Sequence, residues 1–303
     1  MKESNDISLF IPRLTIVGVG LIGGSLARAL KERNLVGEVV GVNRTRDSLT
    51  KALELGVIDH WTTSAAQGVR GATMVLVATP VLTIPRIVED FAQALEPGCV
   101  VTDAGSVKGT VVAPCEALMP KGAFFVGGHP IAGTEHSGVE ASFATLYEGS
   151  RTILTPTEQT DPGALEQVRR MWEAVGSRVE TMDVLTHDRV LGATSHLPHL
   201  IAYNVVNTLS DLEDDIRAEV FRYAAGGFRD FTRIASSDPA MWRDICLSNR
   251  EAILDILTRF REALEVLTQR VRDGDRDGLY GAFARSKRTR DGIILAHKKA
   301  DQG

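Results

Sequence analysis

The segment that most constrains the fold is Gly18-Val-Gly-Leu-Ile-Gly23, which joins the apolar run Leu14–Val17 to the helix-like stretch Ser25–Leu30. In a strand–turn–helix unit, the first glycine of this G-x-G-x-x-G pattern permits a tight turn. The second lets the backbone approach a pyrophosphate, and the third lets helix and strand pack closely. The phosphate charge then meets the helix N-terminus. At the first strand-to-helix turn, the pattern predicts a dinucleotide site rather than an empty glycine-rich turn.

Short apolar runs alternate with helical stretches as far as about residue 182. Strands that are apolar on both faces and separated by crossover-length segments indicate a parallel sheet covered on both sides. We therefore expect residues 1–184 to form a Rossmann-type α/β domain with a mostly parallel sheet. The predicted strands are Leu14–Val17, Val39–Val42, Met74–Ala78, Cys99–Thr102, Ala123–Val126, Thr152–Leu154 and Arg178–Met182.

Strand signals disappear after about residue 185, so residues 185–303 are predicted to form an all-helical domain for substrate binding and dimerisation. One long helix is expected to begin at the N-cap Asp238-Pro239 and to end at Gly274. Such a length predicts that its apolar stripe meets a second subunit in a homodimer; the alternative is a helix covered within one chain. The stripe comprises Ile245, Ile253, Ile256, Leu257, Phe260, Leu264, Leu267 and Val271.

Composition narrows the class of protein. A chain of 303 residues with 44% hydrophobic residues is expected to be a soluble two-domain protein. Its net charge of −5 argues against nucleic-acid or membrane-surface binding. The three cysteines lack metal-ligand or redox spacing, and no signal peptide or membrane-length apolar run is evident. These features predict a cytoplasmic location.

The end of the second predicted strand bears on the choice of cofactor. An NAD enzyme usually carries an acidic residue there for the ribose hydroxyl, but this chain has Asn43, Arg44 and Thr45. A missing carboxylate removes the repulsion of a 2′-phosphate, and Arg44 can pair with one, so the pattern favours NADP over NAD. Asn43 can still bond the NAD ribose. Thr79-Pro80, after the third strand, lies where a loop would cover the cofactor.

The polar segment Gly127–Gly138 is the candidate chemical site. It contains four glycines, a proline and His129, and it follows an apolar strand, so we expect a loop beside the sheet. The near-neutral intrinsic pKa of histidine makes His129 the natural proton acceptor. The segment Asp103–Gly109 places Ser106 after the fourth strand, near the reactive end of a bound cofactor, although Ser106 could instead be an N-cap.

At this point the chain resembles the prephenate/arogenate (cyclohexadienyl) dehydrogenase family of tyrosine biosynthesis. The glycine pattern alone would not be specific, but several matching segments in the family's order are, and they span nearly the whole chain. These segments are Val17–Ser25, Asp103–Gly109, Gly127–Gly138, Leu146–Gly149, Ile153–Pro156, Ser195–His199, Phe228–Ala235 and Met241-Trp242.

The resemblance implies an oxidative decarboxylation: a hydride leaves the carbinol carbon of a cyclohexadienol for the nicotinamide, and carbon dioxide departs as the ring becomes aromatic. By motif match, His129 is the base that accepts the hydroxyl proton. Ser106 would orient the hydroxyl or the imidazole. No partner for the keto group of prephenate or the ammonium of arogenate is evident, and prephenate is favoured slightly.

The resemblance also implies residues that hold the dicarboxylate substrate. Arg233 suits bidentate carboxylate binding, although Arg229 and Arg233 could both be helix-surface cations. His199 matches the family's second substrate-site histidine, Glu135 is expected to act as a polar gate paired with an arginine, and His187 and Trp242 are expected to line the pocket.

The sequence also allows other interpretations of some histidines and of the class of protein. His136 and His196 are interpreted as structural, and the pair His196 and His199 is not expected to bind metal, because no third ligand cluster accompanies it. The chain could instead be a β-hydroxyacid dehydrogenase, but that type relies on an interdomain lysine that is not evident among residues 185–272. A dinucleotide-sensing protein without catalysis is the other alternative.

Overall fold

The computed structural model describes residues 9–300. Its strands are β1 Ile11–Val17, β2 Val36–Val42, β3 His60–Thr62, β4 Met74–Val77, β5 Val100–Asp103, β6 Phe124–Val126, β7 Gly128–Ile131, β8 Arg151–Leu154 and β9 Arg178–Thr181. Its first six α-helices are α1 Leu21–Glu32, α2 Arg46–Glu54, α3 Ala65–Gly68, α4 Ile84–Phe91, α5 Val112–Leu118 and α6 Pro162–Ala174. The others are α7 Val184–Leu191, α8 Leu197–Ser210, α9 Asp214–Arg222, α10 Gly226–Thr232, α11 Pro239–Ser248, α12 Arg250–Asp273 and α13 Arg276–Ala300.

The first six strands form one parallel sheet in the order β3-β2-β1-β4-β5-β6. The strand order reverses between β1 and β4, and ligands of open α/β sheets bind at such a point, outside the carboxyl ends of the strands. The predicted Rossmann-type fold is therefore confirmed. All seven predicted strands are present within a few residues; β3, which is short and lies at the edge, was not predicted.

Both faces of this sheet are covered, which explains why its strands are apolar throughout. In β4, Met74 and Leu76 belong to one buried cluster, whereas Val75 and Val77 belong to the other. Successive side chains of a strand point to opposite faces, so a strand between two cores must be apolar at every position. The first cluster includes Trp172 of α6, and the second includes residues of α4 and α5.

A second, three-stranded sheet carries the candidate chemical segment. Strand β7 pairs antiparallel with β8, and β8 pairs parallel with β9. The expectation that Gly127–Gly138 is entirely loop was therefore wrong for residues 128–131, which are hydrogen-bonded as a strand. The glycine and proline content hid this short strand, and Gly127 and residues 132–138 remain irregular. His129 lies opposite Ile153 and is held by the sheet.

The region after β9 is helical throughout the described residues, as predicted. Asp238 caps α11 by accepting a hydrogen bond from the backbone of Met241 at 2.8 Å. Gly274 ends α12 with a φ of 65°. The single helix predicted between these residues was wrong, because it breaks at Asn249 into α11 and α12. Polar contacts of the buried Asn249 side chain with the preceding helices explain the break.

Two compact units divide the chain, one ending at Ile253 and the other beginning at Leu254. The second unit consists of the remainder of α12 together with α13, and the side chain of Arg270 donates to the carbonyl of Gly278 at 3.0 Å. The functional division expected at residues 184 and 185 stays a prediction. Within residues 9–300, no helix is both long and apolar enough to cross a membrane.

Candidate active site

The glycine-rich turn lies where β1 meets α1, at the reversal of strand order. Gly18 has a φ of 99°, and a Cβ there would lie 2.4 Å from the carbonyl oxygen of Ala78. A Cβ on Gly23 would lie 2.5 Å from a methyl group of Ile16 and 2.6 Å from a backbone oxygen. These two glycines are required by the turn and by close helix–strand packing, whereas Gly20 has open space around its Cβ position.

This turn fits a dinucleotide phosphate. Gly20 occupies the N-cap of α1, and no side chain caps the helix there. The first N–H groups of the helix, at Leu21 and Ile22, therefore have no capping acceptor, and together with the helix dipole they favour an anion. The open space at Gly20 leaves the backbone accessible to such a ligand.

Asn43, at the end of β2, is engaged by the protein itself. Its side-chain oxygen accepts from the backbone N–H of Val19 at 2.9 Å, and its amide donates to Ser48 at 3.1 Å. Asn43 thus ties the glycine turn to β2. Arg44 and Thr45 are exposed beside it.

Thr79 lies on the other side of the glycine turn. Its methyl group is 3.0 Å from the position of a Cβ on Gly18, and its hydroxyl accepts a hydrogen bond from Thr83. Pro80 follows as an exposed residue. The predicted cofactor residues are therefore gathered at the carboxyl ends of β1, β2 and β4.

His129 is buried on β7, with 8% of its surface exposed. Its Nδ1 lies 2.9 Å from Nε2 of His187, a fully buried residue of α7. Burial lowers the pKa of His129 well below its usual value, and the neighbouring imidazole of His187 and ammonium of Lys108 lower it further. A histidine in this environment is neutral at physiological pH, which is the form that accepts a proton.

Asp188, which the sequence analysis did not single out, lies behind His187. Its carboxylate is 2.8 Å from Nδ1 of His187 and accepts the backbone N–H groups of Lys108 and Gly109, each at 2.8 Å. Burial raises the pKa of Asp188, but the hydrogen bond from His187 and those from the backbone outweigh it and hold the pKa below its usual value. The carboxylate is therefore ionised.

Lys108 and Asp103 form an ion pair in which both side chains are fully buried. Lys108 also donates to the carbonyl of Gly128 at 2.7 Å, and Asp103 accepts the N–H of Gly128 at 3.1 Å. The pair thus holds the residue immediately before His129. Ser106 lies in the same loop and is partly buried, and the described residues show no hydrogen bond between it and His129.

A second group of predicted residues meets at Trp242 of α11. The ring of His199 stacks on Trp242 with centroids 3.8 Å apart, and His196 approaches the same indole edge-on at 5.9 Å. The pKa of His199 lies below its usual value. Burial lowers it most, the carbonyl of Ser195 raises it, and the charge of Arg233 lowers it. Burial lowers the pKa of His196 to about 4, and Asn249 donates to this ring at 3.1 Å.

The third group is an ion pair at the surface. Arg233, just after α10, donates to Glu135 at 3.1 Å. The carboxylate of Glu135 is about one-third exposed and the guanidinium of Arg233 more so. A hydrogen bond from its own backbone lowers the pKa of Glu135, and the charge of Arg233 also lowers it. His136, interpreted as structural, is exposed in the same irregular segment.

Sequence reasoning missed Asp103, Lys108, Asp188 and Asn249 as parts of this site. The only local signals were the charged ends of the Asp103–Lys108 segment and the adjacency of Asp188 to His187. The partner of Asp188 lies 80 residues away along the chain and that of Asn249 lies 61 residues away, so these two pairings could not be read from spacing.

Substitutions of the second and third glycines of the turn, Gly20 and Gly23, are expected to have different effects. We expect Gly23→Ala to lower the free energy of unfolding by about 1–3 kcal/mol, because its Cβ meets backbone and a packed methyl group. Gly20→Ala should leave stability unchanged but weaken NAD binding at least tenfold, by obstructing backbone approach. Urea unfolding without cofactor and calorimetric NAD titration measure the two effects. Equal stability of the two variants would contradict the packing assigned to Gly23.

Comparison with known proteins identifies the family of the chain. A family model described as the prephenate dehydrogenase nucleotide-binding domain matches residues 26–181, and one described as the prephenate dehydrogenase dimerization domain matches residues 183–285. Prephenate dehydrogenase of Bacillus subtilis is 38% identical over 288 residues, which are 95% of this chain and 77% of that protein. Cyclohexadienyl dehydrogenase of Zymomonas mobilis is 36% identical over 284 residues, 94% and 97% of the two chains.

Solved structures are similar over comparable lengths. Prephenate dehydrogenase from A. aeolicus, in complex with hydroxyphenyl propionate and NAD+, has a TM-score of 0.87 and 42% identity and covers 94% of this chain and 99% of its own. Synechocystis arogenate dehydrogenase has a TM-score of 0.77 and 29% identity, with coverage of 93% and 99%. The two family models together match most of the chain, and the resemblance inferred from the motifs is confirmed: this chain belongs to the prephenate dehydrogenase family.

Proposed function

We propose that the chain is an NAD(P)-dependent dehydrogenase that oxidatively decarboxylates prephenate to 4-hydroxyphenylpyruvate in tyrosine biosynthesis. The observation that carries the proposal is His129, a buried imidazole whose pKa is held well below its usual range, beside the carboxyl end of β5. The relatives named as prephenate and cyclohexadienyl dehydrogenases support the reaction class. A bound nicotinamide dinucleotide supplies the hydride acceptor.

His129 is the proposed general base. Its Nδ1 faces His187, so Nε2 is the ring nitrogen left for the substrate hydroxyl. As the hydride leaves the carbinol carbon, positive charge develops there and the hydroxyl proton passes to Nε2. Ser106 is proposed to orient the hydroxyl from the loop after β5. The carboxylate then leaves as carbon dioxide, its bonding electrons make the ring aromatic, and the phenolate oxygen takes the proton back from His129. Loss of carbon dioxide makes the step irreversible.

The substrate carboxylates need local positive charge in a protein of net charge −5. We assign Arg233 to one carboxylate because its guanidinium fork suits bidentate binding, and its exposure leaves donors available. His199 and Trp242 present a stacked pair of rings to the substrate ring, and His187 closes the pocket beside His129. Glu135 holds Arg233 until a substrate carboxylate replaces it, which is the gating role expected from the sequence.

The base assignment predicts a loss of turnover without a loss of cofactor. His129→Asn should lower kcat at least 100-fold, as removal of a general base does, while the Kd for NAD stays within about twofold. Hydride transfer followed at 340 nm with prephenate measures kcat, and His60→Asn, at an exposed position on β3, serves as the control. Near-normal kcat in the His129 variant would refute the assignment.

The carboxylate assignment predicts a different kinetic signature. Arg233→Ala should raise KM for prephenate at least tenfold, because a charge-assisted bidentate contact is lost. Arg229→Ala, at an exposed position on the same helical segment, should leave KM near the wild-type value. An unchanged KM in the Arg233 variant would remove this residue from the substrate site.

The finer choice of cofactor rests on Arg44. We propose that NADP is accepted in preference to NAD, since Asn43 brings no negative charge and Arg44 is exposed next to it. The Arg44→Ala variant should lower kcat/KM for NADP at least tenfold and change that for NAD little; Arg46→Ala is the matched control. A hundredfold preference of the wild type for NAD would overturn the proposal. Parallel assays with arogenate test the proposed preference for prephenate.

We also propose a homodimer formed through the C-terminal helices. Large apolar side chains are exposed on α12 and α13, including Val271 at 65%, Tyr280 at 77% and Phe283 at 59%. The family model that matches residues 183–285 is described as a dimerization domain, which supports this use of the exposed surface. Light scattering at micromolar concentration should give twice the chain mass, and the mass of one chain would rule the dimer out.

The cysteines support the expected cytoplasmic location. Cys99, Cys115 and Cys246 are free thiols, as is usual in a reducing compartment. Cell fractionation that recovers the protein from an oxidising compartment would contradict it.

A further inference from the structure

Three side chains lie in one continuous row of hydrogen bonds behind the proposed base. Nδ1 of His129 is 2.9 Å from Nε2 of His187, and Nδ1 of His187 is 2.8 Å from the carboxylate of Asp188. His187 is fully buried, and Asp188 is 7% exposed. Neither cofactor binding nor the contacts proposed for the substrate requires the carboxylate of Asp188.

The contacts of Asp188 determine where the protons are. Its two oxygens accept the backbone N–H groups of Lys108 and Gly109, so both act as acceptors. The facing Nδ1 of His187 must therefore carry a hydrogen, because two acceptors at 2.8 Å would repel each other. In neutral His187, Nε2 is then a lone pair, and the hydrogen in the next contact must come from Nδ1 of His129. This leaves Nε2 of His129 unprotonated.

We propose that His187 and Asp188 are positioning residues that hold His129 in the tautomer with a free Nε2 lone pair. The inference rests on the proposed function of His129 as the base. When the substrate hydroxyl gives its proton to Nε2 of His129, the hydrogen on Nδ1 of His129 remains hydrogen-bonded to Nε2 of His187. The negative charge of Asp188, reached through His187, stabilises the imidazolium that forms, as the carboxylate does in other histidine–aspartate pairs.

Other segments of the chain hold Asp188 in place. The side chain of Asn249 donates to the backbone carbonyl of Asp188 at 2.7 Å. A Cβ on Gly109 would lie 2.8 Å from the carboxylate of Asp188, so the loop after β5 closes directly on it. Rotation of the carboxylate away from His187 would break both of its backbone contacts. Such rigid support is what a residue that orients a catalytic group requires.

The wild-type protein provides the first test. Long-range ¹H–¹⁵N spectra of ¹⁵N-histidine-labelled protein distinguish the two neutral tautomers, and the His129→Asn and His187→Leu spectra assign the two rings. We expect the hydrogen of His129 on Nδ1 and its Nε2 unprotonated, with the hydrogen of His187 on Nδ1. A hydrogen on Nε2 of neutral His129 in the wild-type spectrum would overturn the proposal.

Kinetics separate a positioning role from a lining role of His187. His187→Leu removes the acceptor for Nδ1 of His129 and should lower kcat about 100-fold, with KM for prephenate and Kd for NAD within about threefold. His187→Gln retains a side-chain oxygen as acceptor, so its kcat should be at least tenfold higher than that of His187→Leu. A rise in KM with unchanged kcat in His187→Leu would show a lining role and overturn the proposal.

The carboxylate is tested with a matched pair of variants. Asp188→Asn should lower kcat at least tenfold and increase the population of His129 that carries its hydrogen on Nε2. Asp244→Asn replaces another buried carboxylate, which pairs with Arg243. It should change neither kcat nor the tautomer population of His129. Wild-type kcat in Asp188→Asn would overturn the role of Asp188.

The two proposals fail in different ways. If His129→Asn remains active, the proposed base is wrong. If His129→Asn is inactive while the His187 and Asp188 variants keep wild-type kcat, the base stands and only the positioning role is rejected.

Discussion

The buried ion pair between Lys108 and Asp103 joins the main parts of the site. Both side chains are fully buried, and both contact Gly128 at the start of β7. Through its backbone N–H, Lys108 also binds Asp188 of α7. Removing two charges from water is costly, and further hydrogen bonds to Gly128 and Gly105 help to offset the cost here. The pair therefore holds β5, β7 and α7 in one arrangement, and either residue left alone would be an unpaired buried charge.

That arrangement determines the position of His129. Gly127 and Gly128 bring β7 against the end of β5: a Cβ on Gly127 would lie 2.4 Å from the hydroxyl of Thr155, and one on Gly128 would lie 2.9 Å from a backbone oxygen. The glycines that make the segment look like a loop are thus required by close packing. His129 follows on a hydrogen-bonded strand, so backbone geometry places the proposed base, which would need little ordering when substrate binds.

Much of this could be predicted because the relevant signals are local. Apolar runs such as Met74–Ala78 predicted the strands, and the glycine turn predicted the site at the reversal of strand order. The break at Asn249 was missed because it depends on partners in the preceding helices, at Asp188 and His196. Strand β7 was missed because its pairing with β8 overrides a composition of glycine and proline. Asp188 was missed because its partner Lys108 is 80 residues away in sequence and only the fold brings the two together. Lys108 pairs with nearby Asp103, but the burial of both side chains could not be read from the sequence.

The distance between Asp188 and His129 has a chemical consequence. A carboxylate in direct contact with His129 would raise the pKa of that ring and oppose the lowering that burial causes. Here His187 lies between them, so the carboxylate can set which nitrogen carries the hydrogen without holding a proton on His129. Burial and the charge of Lys108 meanwhile lower the pKa of His129. The site thereby separates two requirements that a single histidine–aspartate contact would couple: the orientation of the lone pair and the neutrality of the ring before reaction.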